Sequence, residues 1–267
     1  MAATVVGTDG SEQAASALDW AIDHGAGKAI VLVRVVDSTI GGADYVVTEG
    51  SLGAAQDGLD READRVRSAH PGLDVSTQLV HGDPITELAR FSTAESLLVV
   101  GTQKRTGSRF RYSWSVGARL ASTANGPVAI IPHDTARVGR GIVAGVDGSE
   151  PSAAALLFAA AEAAREGAPL TAIHAWQDPA TERAHRALLD GAVSGLSGGF
   201  PRVEVTPRLV QGTPAWALLE AARDAALLVV GNHGETGDSR SLLGSVSQSV
   251  MINILSPTVV VKTAERA

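Results

Sequence analysis

The sequence predicts an α/β fold in which a doubly wound, five-stranded parallel sheet occurs twice. Three observations predict it. Short β-rich apolar runs alternate with helical patterns, the runs are apolar throughout, and the whole series is repeated along the 267 residues. Runs such as "SLLVVG" and "ALLVVG" do not alternate apolar with polar, which suits strands covered on both faces by helices. Alternating strands and helices then give a parallel sheet.

The repeat is read directly from the residues. "VVGTDGSEQAASAL" from residue 5 matches "IVAGVDGSEPSAAAL" from residue 142, which sets Asp9 over Asp147. "LVHGDPITELARFSTAESLLVVG" matches "LVQGTPAWALLEAARDAALLVVG", with Gly82 over Gly212 and Pro84 over Pro214. "GPVAIIP" and "SPTVVVK" close the halves. The offset falls from 138 residues at the first pair to 130 at the second, so the first half holds extra residues. They are placed in "DSTIGGADYVVTEGSLGA", residues 37–54, read as a long loop.

Strands are expected at 4–8, 29–36, 74–80, 97–101 and 128–131, then at 141–146, 170–175, 202–210, 227–231 and 258–261. Ser11 and Ser149 follow Asp-Gly and are suited to cap the next helix, with Pro151 acceptable in a first turn that needs no donor. Gly82-Asp83-Pro84 and Gly212-Thr213-Pro214 repeat that logic. "LDREADRVRSA", residues 59–69, reads as a solvated amphipathic helix, and Trp20, Trp176 and Trp216 as packing residues. The polar segment 133–141 separates a first domain, 1–135, from a second, 139–267.

Composition removes several function classes. A formal net charge of −7 argues against a nonspecific nucleic-acid surface, which needs a basic stripe. With no cysteine there is no disulfide, thiolate catalyst or sulfur-ligated zinc. The seven histidines show no metal-ligand spacing, and no GxSxG elbow is present, so neither a dedicated metal site nor a serine hydrolase is expected. No stretch resembles a signal peptide or a membrane span, and a cytoplasmic protein is expected.

The chemistry gathers after the fourth strand of each half. "VVGNHGETGDSRSLLGSVSQSV" carries Gly231, two residues, Gly234, nine residues, Gly244 and then Ser245. Glycines at a strand end let backbone N–H groups wrap an anion, and a helix opening at "GSVS" adds its own amides and the Ser245 and Ser247 hydroxyls. A solvent loop closed by glycines is the plainer reading. Neither GxxxxGK[ST] nor GxGxxG occurs. The first half keeps Gly101, but Lys104 stands over Gly234 and Trp114 over Gly244, so that loop reads as a degenerate, solvated basic loop, the alternative being that "KRTGSRFR" offers positive charge to an anion in a different way. Asp9 and Asp147 fit either ligand binding or ordinary turn chemistry, and His233 fits contact with a phosphate or a partner, or simple exposure.

The doubled five-strand pattern, "VDGSE" after the first strand, "VVG" on the fourth and G-x2-G-x9-G-S resemble the universal stress protein family in tandem form, over nearly the whole chain. The resemblance implies a Rossmann-like fold of the adenine nucleotide α-hydrolase type and a pseudo-dimer in which the two final strands pair within one chain. It also implies ATP bound in the second half, with Mg2+ arriving on the nucleotide. Carried over by position, it implicates Asp147, Ala175, Gly231, Gly234, Gly244, Ser245, Val246 and Ser247. A regulatory or sensing module in a stress response is the expected role, acting on a protein partner and as a pseudo-dimer or a further homodimer. The alternatives are a nucleotide-independent scaffold and a slow ATPase. Fold alone does not choose between them.

Overall fold

The computed structural model describes residues 3–25, 29–37, 49–102, 115–133, 139–233 and 243–263. The chain divides into two compact units, Met1–Asp134 and Thr135–Ala267.

In the first unit the strands are β1 (Ala3–Gly7), β2 (Ala29–Asp37), β3 (Val75–Gly82), β4 (Ser96–Thr102) and β5 (Val128–Pro132). Between them lie α1 (Glu12–Gly25), α2 (Glu49–Ala69), α3 (Pro84–Ala89) and α4 (Val116–Thr123). The strands are parallel in the order β3-β2-β1-β4-β5. Val6, Leu32, Val33, Leu98 and Val99 at its centre are buried, as a strand covered on both faces requires.

The second unit repeats the design with β6 (Ile142–Gly145), β7 (Leu170–Trp176), β8 (Val205–Gln211), β9 (Leu227–Gly231) and β10 (Thr258–Val261). Its helices are α5 (Glu150–Glu166), α6 (Glu182–Ser194), α7 (Pro214–Ala222) and α8 (Ser245–Ile252). The order is β8-β7-β6-β9-β10, again parallel. Pro207 lies on β8, which among the described residues of this unit pairs only with β7, a position where a missing N–H is tolerated. In both units the order reverses between the first and fourth strands, the place where open α/β sheets leave a crevice.

Ser149 Oγ accepts the Ser152 N–H at 3.2 Å, capping α5, and Ser11 Oγ accepts the Ala14 N–H at 3.2 Å at the start of α1. Asp83 caps α3, whereas Thr213 makes no side-chain bond at the start of α7. Three expectations are corrected. The 37–54 segment is not wholly a loop: Asp37 ends β2 and residues 49–54 form the opening of α2, while 38–48 lie outside the described residues. Tertiary packing overrides the poor helix propensity of Gly50 and Gly53, because α2 buries Ala55, Leu59, Ala63 and Val66 along one stripe. At 21 residues, α2 is longer than α6, which has 13. The third strand of the second half starts at Val205, since Pro201 and Arg202 form a turn. Trp216 is not a core residue. It is 57% exposed, its ring laid over Gly212 with Cε3 3.6 Å from where a Cβ would stand. Trp176 is buried, and Trp20 is half-buried and stacked on His24 at 4.3 Å.

Candidate functional site

The candidate site of the second unit lies at the C-terminal ends of β6, β7 and β9. β6 delivers Asp147 into a tight turn closed by Gly148 at φ 89°. The carboxylate is engaged in that turn, Oδ1 accepting the Ser149 N–H at 2.9 Å and the Ser149 hydroxyl at 2.5 Å. Asp9 does the same in the first unit, accepting the Ser11 N–H at 2.9 Å. Both aspartates therefore organise the approach to the following helix, and Asp147 remains half-buried at the crevice.

β7 brings Ala175, half-buried, to the same end of the sheet, paired with Val210. Its neighbour His174, which the sequence reading missed, is buried. His174 Nδ1 lies 2.6 Å from the Val146 carbonyl, and Nε2 lies 2.7 Å from His185 Nδ1 on α6. A carbonyl only accepts, so Nδ1 carries a proton. With His174 neutral its Nε2 accepts, and His185 Nδ1 donates. The pair ties α6 to the residue just before Asp147. The signal available in the sequence was an isolated histidine in an apolar strand, which a core position explains equally well.

β9 ends at Gly231, which is buried. A Cβ there would lie 2.8 Å from the Pro151 carbonyl carbon in the first turn of α5. Glycine is needed at this point for close packing of strand and helix, and the same holds for Gly101, where a Cβ would stand 2.1 Å from the Gln13 carbonyl oxygen. This explains why the first half keeps that one glycine while its loop lacks the others. Asn232 follows, buried at 3% exposure, its N–H donated to Val261 O and its carbonyl accepting the Gly244 N–H at 2.8 Å. Asn232 Oδ1 and His233 Nδ1 are buried without hydrogen-bond partners among the described residues.

Gly234 lies outside the described residues, as do Lys104 and Trp114 of the first half. Gly244 is buried and is the N-cap of α8, without a side-chain cap bond. Ser245 is exposed and Val246 half-buried, and the N–H groups of residues 245–247 have no acceptor among the described residues. The Ser247 hydroxyl is not turned outward as expected from sequence. It is buried and donates to Gly231 O at 2.6 Å, joining the start of α8 to the end of β9. The described parts of the crevice thus bring together a half-buried carboxylate, a small residue on β7 and the uncapped, electropositive end of α8. No group of three His, Asp or Glu side chains suited to a metal ion occurs among the described residues, and no described helix is long and apolar enough to cross a membrane.

Comparison with known proteins matches this architecture. The model of the universal stress protein family matches residues 2–132 and again 140–262. Universal stress proteins of Mycobacterium bovis and Mycobacterium tuberculosis are each 29% identical over 298 residues, covering 97% of this chain and 94% of theirs. The crystal structure of a universal stress protein from Archaeoglobus fulgidus shares the fold with a TM-score of 0.74 at 23% identity, covering 97% of this chain and 98% of that one. The chain, built from two units of one strand order, belongs to the universal stress protein family.

Proposed function

We propose that the second unit binds an adenine nucleotide, ATP with its Mg2+, and that occupancy regulates a protein partner rather than driving fast turnover. The observation that carries this reading is the start of α8. Its first N–H groups lack acceptors among the described residues, and it opens beside Gly231 at the point where the strand order reverses. Such a helix end favours phosphate through its amides and its dipole. Asn232 Oδ1, buried and unpartnered among the described residues, is an acceptor suited to a ribose hydroxyl rather than to a phosphate oxygen. Asp147 and Ala175 occupy the strand ends that the family resemblance assigns to the nucleoside.

Internal bonds at Asp147 and Ser247 favour a second reading, a scaffold that keeps the fold without a nucleotide. Equilibrium ATP binding to the full chain and to Gly234→Lys, which copies the residue of the first half, separates the two. Saturable binding by the wild type that falls at least about ten-fold in the folded variant supports the nucleotide site. No wild-type binding supports the scaffold, and equal binding by both proteins overturns the assignment of the nucleotide to this loop.

A further inference from the structure

The first unit has a different side chain at the position of His174. Val33 pairs with Gly7 at the end of β1, Ile173 pairs with Gly145 at the end of β6, and the next residue is Arg34 in one unit and His174 in the other. His174 finds both its partners inside its unit. Arg34 is half-buried, yet its guanidinium makes no hydrogen bond or ion pair among the described residues.

Arg34 reaches from β2 toward the turn after β1 and toward α2. Its Nη1 stands 3.7 Å from the place a Cβ on Gly10 would take and 2.9 Å from the place a Cβ on Gly58 would take. A second guanidinium converges there, Arg61 Nη2 standing 3.9 Å from the same Gly58 point. Arg61 likewise has no hydrogen bond or ion pair among the described residues. No carboxylate pairs with either guanidinium among the described residues. Glu62 accepts the Thr8 hydroxyl at 2.8 Å, Asp60 accepts from Gln56 at 2.9 Å and Asp9 accepts the Ser11 N–H.

Two like charges converging on one point repel, and a guanidinium drawn partly out of water without a partner loses hydration. One anion with several oxygens relieves both costs. A tetrahedral dianion suits two guanidinium forks better than a single carboxylate, because it offers an acceptor edge to each. We propose that the first unit holds an anion site in which Arg34 and Arg61 clasp the phosphoryl group of a small phosphorylated ligand beside the turn at Gly10. The site uses no residue of the second unit and stands whether or not α8 binds a nucleotide.

The test is a titration of the 15N-labelled full chain with inorganic phosphate at constant ionic strength, with acetate as the carboxylate arm and chloride as the salt control. Saturable shifts of the Gly10 and Gly58 amides are expected with phosphate, about ten-fold weaker in Arg34→Gln and in Arg61→Gln. Arg61 is exposed, so its variant keeps the test informative if Arg34→Gln folds poorly. Shifts that do not saturate, that chloride reproduces, or that survive both substitutions overturn the site. Equal response to acetate overturns the phosphoryl assignment. Amides 245–247 are read in the same spectra, so failure of either unit's site is seen separately.

Discussion

In the first unit the last helix caps itself, Ser115 Oγ accepting the Ala118 N–H at 3.2 Å, whereas the matching helix of the second unit starts at Gly244 and has no side-chain cap. At the second strand the contrast runs the other way. His174 is satisfied within the second unit, and Arg34 in the first has no partner among the described residues. Each unit therefore leaves a different electropositive feature at its strand ends, an uncapped helix in one and a pair of guanidinium groups in the other. What the units share is the geometry beneath those ends, the strand order and the glycine on the fourth strand. Packing sets the common part, and the surrounding side chains set what each crevice attracts.

The sharpest test of the shared part is to add a methyl to that glycine. Gly101→Ala places a Cβ 2.1 Å from the Gln13 carbonyl oxygen, a backbone atom that moves only with α1, and is expected to cost about 3 kcal/mol. Gly231→Ala meets Pro151 at 2.8 Å and is expected to cost about 1–2 kcal/mol. Urea denaturation of both variants reads the order. Negligible losses would mean that these glycines serve a ligand rather than the packing of helix on strand.

The second test sets His174 against Arg34. His174→Ala leaves the Val146 carbonyl and the His185 N–H without their partner inside the protein, and about 2 kcal/mol of stability is expected to go. Arg34→Ala removes a charge that has no partner among the described residues, and a change within about 0.5 kcal/mol is expected. Equal losses at the two positions would erase the distinction between a closed strand end and an open one.

These contrasts were unevenly legible in the sequence. Apolar runs, Asp-Gly-Ser turns and the internal repeat report local and periodic information, so the strands and the starts of α1 and α5 could be read within a few residues. The glycines at 101 and 231 were visible, but their reason was not, because the atoms that would collide with a Cβ come from the neighbouring helix. The His174–His185 contact and the Arg34–Arg61 convergence each join a strand to a helix across a gap in sequence, and no spacing rule encodes such a meeting. The start of α2 was hidden by Gly50 and Gly53, since propensity is weak beside the burial of an apolar stripe.

A third test moves the cap of one unit into the other. Gly244→Ser supplies a side-chain acceptor to α8 and fills space beside amides that a phosphate would use. Stability is expected to rise by only a few tenths of a kcal/mol, while ATP affinity falls about ten-fold in the second unit. Ser115→Gly in the first unit makes the matching loss of a cap and leaves ATP binding unchanged. Parallel calorimetric titrations decide the point, and unaltered affinity in Gly244→Ser would detach the start of α8 from nucleotide binding.

The smallest effect separates the caps of α3 and α7. Asp83 Oδ1 accepts both the Thr86 N–H and the Thr86 hydroxyl at 2.8 Å, and these bonds, the backbone one first, hold its carboxyl below the usual 3.8. Burial opposes this, and Arg119 adds a smaller lowering. Because folding lowers the pKa, the contribution is present above the unfolded value of about 3.9 and is lost as pH falls through the folded one. Near the surface, water screens the gain to less than about 1 kcal/mol. Asp83→Asn keeps a cap and removes this acid sensitivity, whereas Thr213→Asp gives α7 a carboxylate where no side-chain cap bond now exists and creates the same sensitivity in the second unit. Urea denaturation at pH 7 and below pH 4 reads both changes, and an unaltered pH dependence in both variants would show that neither cap contributes through its charge.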